Sequence, residues 1–107
     1  MAEVPNLNYI KEIAGGNEEF EKKFLSIIQV EFPKEKENYI HLLNTGQLLE
    51  SAKVVHKIKH KLGILGLSNG YKLAIKYEED LKIGNMALKD DFEGMLNAVE
   101  EFILKIA

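Results

Sequence analysis

Five apolar stripes at helical spacing divide this sequence, and no segment alternates convincingly with the period of a strand. The cleanest stripe runs over about 88–106. Leu88, Phe92, Met95, Leu96, Val99, Phe102, Ile103 and Ile106 recur there every three or four positions, the spacing that lines one face of an α-helix. A helix with one apolar face must bury it against a neighbour, so the pattern restricts the chain to helix-on-helix packing.

The other four stripes are bounded by residues that start or stop helices. Leu7, Ile10 and Ile13 predict a short helix over about 5–13, with Pro5 suited to its first turn. Gly15-Gly16 ends it, and Asn17 is a plausible N-cap for the next helix. That second helix starts near residue 18 with Phe20, Phe24, Ile27, Ile28 and Phe32 on one face. Pro33 removes a backbone donor and disfavours helix at Phe32, which predicts a kink or short break before the helix resumes through Tyr39, Ile40 and Leu43 to about Asn44. Thr45-Gly46 is a stop. A third helix over about 47–64 carries Leu48, Ala52, Val55, Ile58 and Leu62, and Gly66 with Ser68-Asn69-Gly70 marks the turn that follows. A fourth, over about 69–82, carries Tyr71, Ala74, Ile75, Tyr77 and Leu81 and ends at Gly84-Asn85. Short connections make successive helices antiparallel neighbours. The expected fold is all-α: an up-and-down antiparallel four-helix bundle, a short N-terminal helix capping one end, with residues 1–107 as a single domain.

Composition removes several classes of function. The chain contains 107 residues and no cysteine, so it is one domain by length with no disulfide framework and no thiolate metal site. It has no run of 18 apolar residues, and Met1-Ala2-Glu3-Val4-Pro5 lacks the basic and apolar regions of a leader. No membrane association and a cytoplasmic location are expected. The net charge is −3 and every basic residue is lysine. Base readout favours arginine, and backbone binding favours a strong positive balance, so nucleic acid is not an expected partner. The positive charge is local instead. Lys53, Lys57, Lys59 and Lys61 fall around His56, either as an ordinary solvated helix face or as a basic surface that attracts an acidic partner or phosphate.

His56 and Lys59 are one turn apart on the third helix and are therefore neighbours on its surface. A histidine keeps a free lone pair at physiological pH and can accept a phosphoryl group. A nearby ammonium can neutralise the oxygens that arrive with it. At 100° per residue His56 falls at the edge of the apolar stripe, with Lys59 between it and the core, so Lys59 can bury its stem and present its ammonium beside the imidazole. Ala52 one turn before and Gly63 two turns after would let another protein's active site approach closely. No carboxylate stands at 52, 53, 59, 60 or 63 to orient the ring. There is no phosphate-binding glycine loop and no aspartate cluster for magnesium, both of which bear on an autonomous kinase. The chemistry fits a carrier, not an enzyme, with the metal, the base and most transition-state stabilisation supplied by a partner.

The run His56-Lys57-Ile58-Lys59-His60, followed by Leu65-Gly66, resembles the signature of histidine-containing phosphotransfer domains. In that family a phospho-accepting His is followed by an apolar residue at +2, Lys at +3, usually Gly at +4, and Leu-Gly at +9 and +10. Only His60, in place of the usual Gly, departs. Tyr77-Glu78 falls where the family commonly has an apolar-Glu pair, with small Ala74 before it. Gly15-Gly16 followed by Phe20, Phe24 and Leu25 looks like the family's second-helix entry. The resemblance covers nearly the whole chain and implies a four-helix bundle that shuttles phosphate between aspartates of receiver domains, in response regulators or hybrid sensor kinases. By carry-over His56 accepts the phosphoryl group, Lys59 supports it, and Gly66 holds a tight turn. Docking would use Lys53, Lys57, His60 and Gly63. No cofactor is implied, and most domains of this type are monomers. His60 fills space the family leaves open. Its ring either turns to solvent, hydrogen-bonds the phosphate, or narrows the range of receivers that dock. The start methionine and natural-looking end favour a standalone protein.

Two other readings compete. A helical docking module without chemistry would tolerate the loss of His56. His56 and His60 at i, i+4 also put two imidazoles on one face, but zinc wants three or four protein ligands. His41 is the only other histidine, and no carboxylate lies on the adjacent turns, so no metal site is expected.

Overall fold

The computed structural model describes residues 3–106, and the described residues form five helices and no strand. They are α1 (Asn8–Ala14), α2 (Glu18–Asn44), α3 (Leu48–Ile64), α4 (Ser68–Lys82) and α5 (Lys89–Lys105). Turns of three residues at 45–47 and 65–67 join α2 to α3 and α3 to α4. α2 packs on α3 and α5, and α4 packs on the same two helices, so the four long helices close a ring while α1 lies against α2. The seam between α3 and α4 is the most extensive. The 27 residues of α2 extend about 40 Å at 1.5 Å per residue, which accounts for most of the 44 Å long axis. No helix among the described residues is long and apolar enough to cross a membrane.

Two helix boundaries depart from the sequence expectation. α1 starts at Asn8, and Pro5 lies before it as a buried residue of the leading segment rather than in a first turn. The Asn6 N–H donates to the Leu65 carbonyl at 2.8 Å, which pins this segment onto the α3–α4 turn. The Asn6 side chain then accepts from Asn8 N–H at 3.0 Å and sets the helix start. The second departure is at Pro33, where α2 runs without the break expected there. Pro33 leaves the Gln29 carbonyl without its helical donor, at a cost of about 3 kcal/mol. Ile28 and Phe32 before it, and Tyr39 and Leu43 after it, are all buried. Each is worth about 1.5–3 kcal/mol, so keeping both halves on one axis outweighs the loss. Asn17 caps α2 as expected, its side chain accepting from Phe20 N–H at 3.0 Å.

The core runs along the bundle axis through Phe32, Val55, Ile58, Leu62, Leu96 and Val99. At its centre Tyr39, Tyr77 and Phe92 pack with ring centroids 5.0–6.2 Å apart. The two phenols are 2.7 Å apart, and Tyr39 donates to Glu93 Oε2 at 3.0 Å. Tyr39 has one proton and gives it to Glu93, so Tyr77 must donate to Tyr39. Burial raises both phenols above the usual range, Tyr39 the more strongly, and they stay neutral. This chain joins α2, α4 and α5 one residue away from Glu78. Not every residue of the predicted stripes is inside: Phe20, Ile27 and Ile75 are more than two-fifths exposed.

Candidate functional site

His56 sits midway along α3 with its side chain half exposed. Its Nδ1 faces both carboxylate oxygens of Glu78 on α4, at 3.1 and 3.2 Å. Lys59 Nζ is 3.1 Å from the same nitrogen and 3.4 Å from Glu78 Oε1. The Lys59 side chain is 11% exposed, and its ammonium stands over the Tyr71 ring, 5.8 Å from the centroid. Lys59 therefore lies between His56 and the core with its stem covered, as the helical geometry predicts. The carboxylate is the correction. None was expected to orient the ring, because none lies on the neighbouring turns of α3, but the fold brings one in from the next helix. The sequence signal for it was the Tyr77-Glu78 pair, whose residues carried no assigned role.

One ring nitrogen cannot donate to Glu78 and accept from Lys59 at once, and the charge on Glu78 decides between them. Burial pushes its carboxyl up, but the hydrogen bond from His56 and the Lys59 ammonium outweigh this and hold it below the usual carboxylate range. Lys82 Nζ adds a second cation at 3.8 Å. An ionised carboxylate only accepts, so Nδ1 carries the proton and donates it to Glu78. Nε2 keeps its lone pair, and Lys59 serves as the counter-charge of Glu78. The ammonium thus stands at the Nδ1 edge of the ring.

The four lysines around His56 do not form one basic surface. Lys61 turns the other way, to Glu31 and Glu35 of α2 at 3.0 Å each. Burial works against its charge, but the two carboxylates more than compensate and raise its pKa. Lys59 is taken up by Glu78, and Lys53 pairs with Glu50 at 3.1 Å. Lys57 is exposed, with no ion-pair partner among the described residues. Ala52 is another correction. It lies on the inward stripe and is buried, so it offers no small exposed neighbour. Gly63 is exposed, and its missing Cβ has a structural use, since a Cβ there would come within 3.2 Å of the Tyr71 ring.

His60 is exposed, and its ring meets that of His56 edge to face, with centroids 5.0 Å apart and planes at 86°. On its other side it borders a groove of about 150 Å³ between α2 and α3, lined by Phe24, Ile27, Ile28, Glu31, Lys61 and Ile64. Gly66 adopts φ +80° in the α3–α4 turn, with the Asn6 side chain packed against it. That is the tight turn expected of it. Comparison with protein-family models, with curated proteins and with solved structures finds no match for this chain.

Proposed function

We propose that this chain is a phosphoryl carrier of the histidine-phosphotransfer type, with His56 as the acceptor. The observation that carries the reading is the Glu78–His56 contact, which occupies Nδ1 and leaves Nε2 of a half-exposed ring as the nucleophile. In the transfer, the Nε2 lone pair attacks the phosphorus of a partner's aspartyl phosphate. The bond from phosphorus to the aspartyl oxygen breaks, and its electrons return to the partner's carboxylate. The ring becomes cationic with its Nδ1 proton in place, and Glu78 stabilises that charge. No proton has to leave, and the reverse step passes the group on. Lys59 keeps Glu78 ionised and adds attraction for the incoming phosphoryl oxygens. Magnesium and the remaining catalytic groups belong to the partner, so the chain is not itself an enzyme.

The partners on this reading are receiver domains, met by a monomer in the cytoplasm. The groove bordered by His60, together with the exposed Phe20 and Ile27, gives such a partner an apolar contact beside the acceptor. Lys57 and Lys53 are exposed on the same helix as His56, and charge at the edge of a docking surface mainly affects association rate and salt dependence. The test is transfer from a panel of phosphorylated receivers to wild type, His56→Gln and His60→Gln. The expected result is an acid-labile label that only His56→Gln loses, with its helical signal unchanged. The groove is independent of His56, so a docking module without chemistry is the second reading. Failure of the wild type with every receiver would favour it.

A further inference from the structure

His60 is the one position where the site departs from the pattern it otherwise resembles, and the carrier chemistry leaves it without a task. We propose that His56 and His60 together form an open two-imidazole chelate for a divalent transition-metal ion such as Zn²⁺, Ni²⁺ or Cu²⁺. The two residues are one helical turn apart and both exposed, and their ring centroids are 5.0 Å apart. Two histidines at i, i+4 on one helix face are a recurrent metal-binding pair. Metal-to-nitrogen bonds of about 2.0–2.1 Å bring the two donor atoms to roughly 3 Å from each other, a separation that side-chain rotation reaches from this starting distance.

The surroundings of His56 favour the same use. A histidine ligand ordinarily donates its other ring N–H to a carboxylate, which fixes the tautomer and raises the basicity of the ligating nitrogen. Glu78 already does this at Nδ1. Among the described residues no side-chain hydrogen bond engages the His60 ring, so its lone pair is open as well. The nearby Lys59 ammonium is matched by Glu78, and Lys53 is matched by Glu50. Lys57 is the unmatched positive charge opposing a cation.

The donor set also determines the kind of site. No group of three or more metal-ligating side chains comes together among the described residues, so this is not the closed zinc centre for which the sequence lacks ligands. It is a surface chelate in which two ring nitrogens replace two waters of the hydrated ion and the remaining waters stay. Imidazole suits zinc, nickel and copper, whereas magnesium and calcium take oxygen ligands. The consequence rests on the carrier reading: an ion held there occupies the Nε2 lone pair with which His56 would accept phosphate, so metal and phosphoryl group exclude each other.

The experiment is a calorimetric titration of the full chain with NiCl₂ and with ZnCl₂, with MgCl₂ as the counter-case. Nickel line broadening of the histidine ring signals serves as a site-resolved readout. The expected result is one saturable ion per chain, broadening at His56 and His60 but not at His41, and loss of binding in both His56→Gln and His60→Gln. His41→Gln should bind as wild type. The proposal is overturned if there is no saturable binding, if either single variant keeps wild-type affinity, or if His41→Gln removes it. A second arm labels His56 with phosphoramidate, a small phosphoryl donor, with and without the ion. Protection by metal supports the exclusion, and labelling at an undiminished rate with the ion bound overturns it. Metal binding by a protein that takes no phosphoryl group even without the ion would leave the chelate standing and remove the carrier reading, so the two fail separately.

Discussion

Glu78 lies 22 residues beyond His56 and on a different helix, yet both its oxygens face the Nδ1 edge of that ring, at 3.1 and 3.2 Å. The pair fixes which ring nitrogen carries the proton and which keeps its lone pair. Replacing Glu78 by Gln puts an amide where the carboxylate stood. Its NH₂ can donate to Nδ1, which favours the tautomer with the proton on Nε2. We expect phosphoryl transfer to His56 to slow about 10- to 100-fold, the range that carboxylates behind histidine ligands carry. Ring ¹⁵N shifts of His56 should report the change of tautomer. An unchanged rate together with an unchanged tautomer would remove Glu78 from the mechanism.

Lys59 and Lys57 should separate cleanly. Lys59→Met keeps the buried stem and removes the counter-charge of a carboxylate that is 13% exposed. Stability should fall by about 1–3 kcal/mol in urea denaturation, and Lys59→Ala should lose more through packing. Both variants should slow transfer and weaken the phosphorylated protein, and wild-type rates in them would show that the ammonium has no such role. Lys57→Glu should leave the denaturation midpoint in place and lower only the association rate, with a weaker dependence on salt.

The two shifted charges predict opposite pH edges. Glu78 titrates below its ordinary 4.5 in the folded chain. Its contribution is complete above 4.5 and is lost as the pH falls through the depressed folded value. Lys61 titrates above its ordinary 10.5. Its contribution is complete below 10.5 and is lost as the pH rises through the higher folded value. Urea midpoints measured against pH should show Glu78→Gln flattening the acid limb alone and Lys61→Met the alkaline limb alone. A Lys61→Met profile parallel to wild type above pH 10.5 would mean that the Glu31 and Glu35 contacts do not persist in solution.

In the buried hydroxyl chain the two tyrosines are not equivalent. Tyr39→Phe strands the Tyr77 hydroxyl and removes one donor from Glu93 Oε2, which keeps Lys89 Nζ at 3.3 Å, and should cost about 1–3 kcal/mol. Tyr77→Phe leaves Tyr39 donating to Glu93 and should cost about 0.5–1.5 kcal/mol. Equal losses in the two variants, measured by denaturation, would contradict the direction assigned to the chain.

What the sequence made legible was local. The stripes of α3 and α5, the Asn17 cap, the Gly66 turn and the His56–Lys59 adjacency each depend on residues within a few positions of one another, and each appears as expected. What stayed hidden depends on how one helix meets the next. Lys61 looks like a member of the basic cluster until α2 brings Glu31 and Glu35 beside it. Ala52 reads both as a member of the apolar stripe and as open space beside His56, and its burial leaves only the first. Pro33 reads as a break because its local cost is visible in the sequence, whereas the burial on both sides that outweighs it is not. Glu78 could be noticed as part of a pair, but only the α3–α4 contact gives it a partner.

That contact carries a constraint on length. Gly63 lies seven positions beyond His56, and Glu78 lies seven positions beyond Tyr71. The helices meet at both ends of these intervals, His56 with Glu78 and Gly63 with Tyr71. Each interval is about two helical turns, so the seam behaves like two rulers laid head to tail with matching graduations. Inserting one residue between Tyr71 and Glu78 would swing the carboxylate about 100° around α4 and disconnect it from the histidine without touching either side chain. In a chain built this way, the interval between the two contacts is as much a part of the site as the residues that make them.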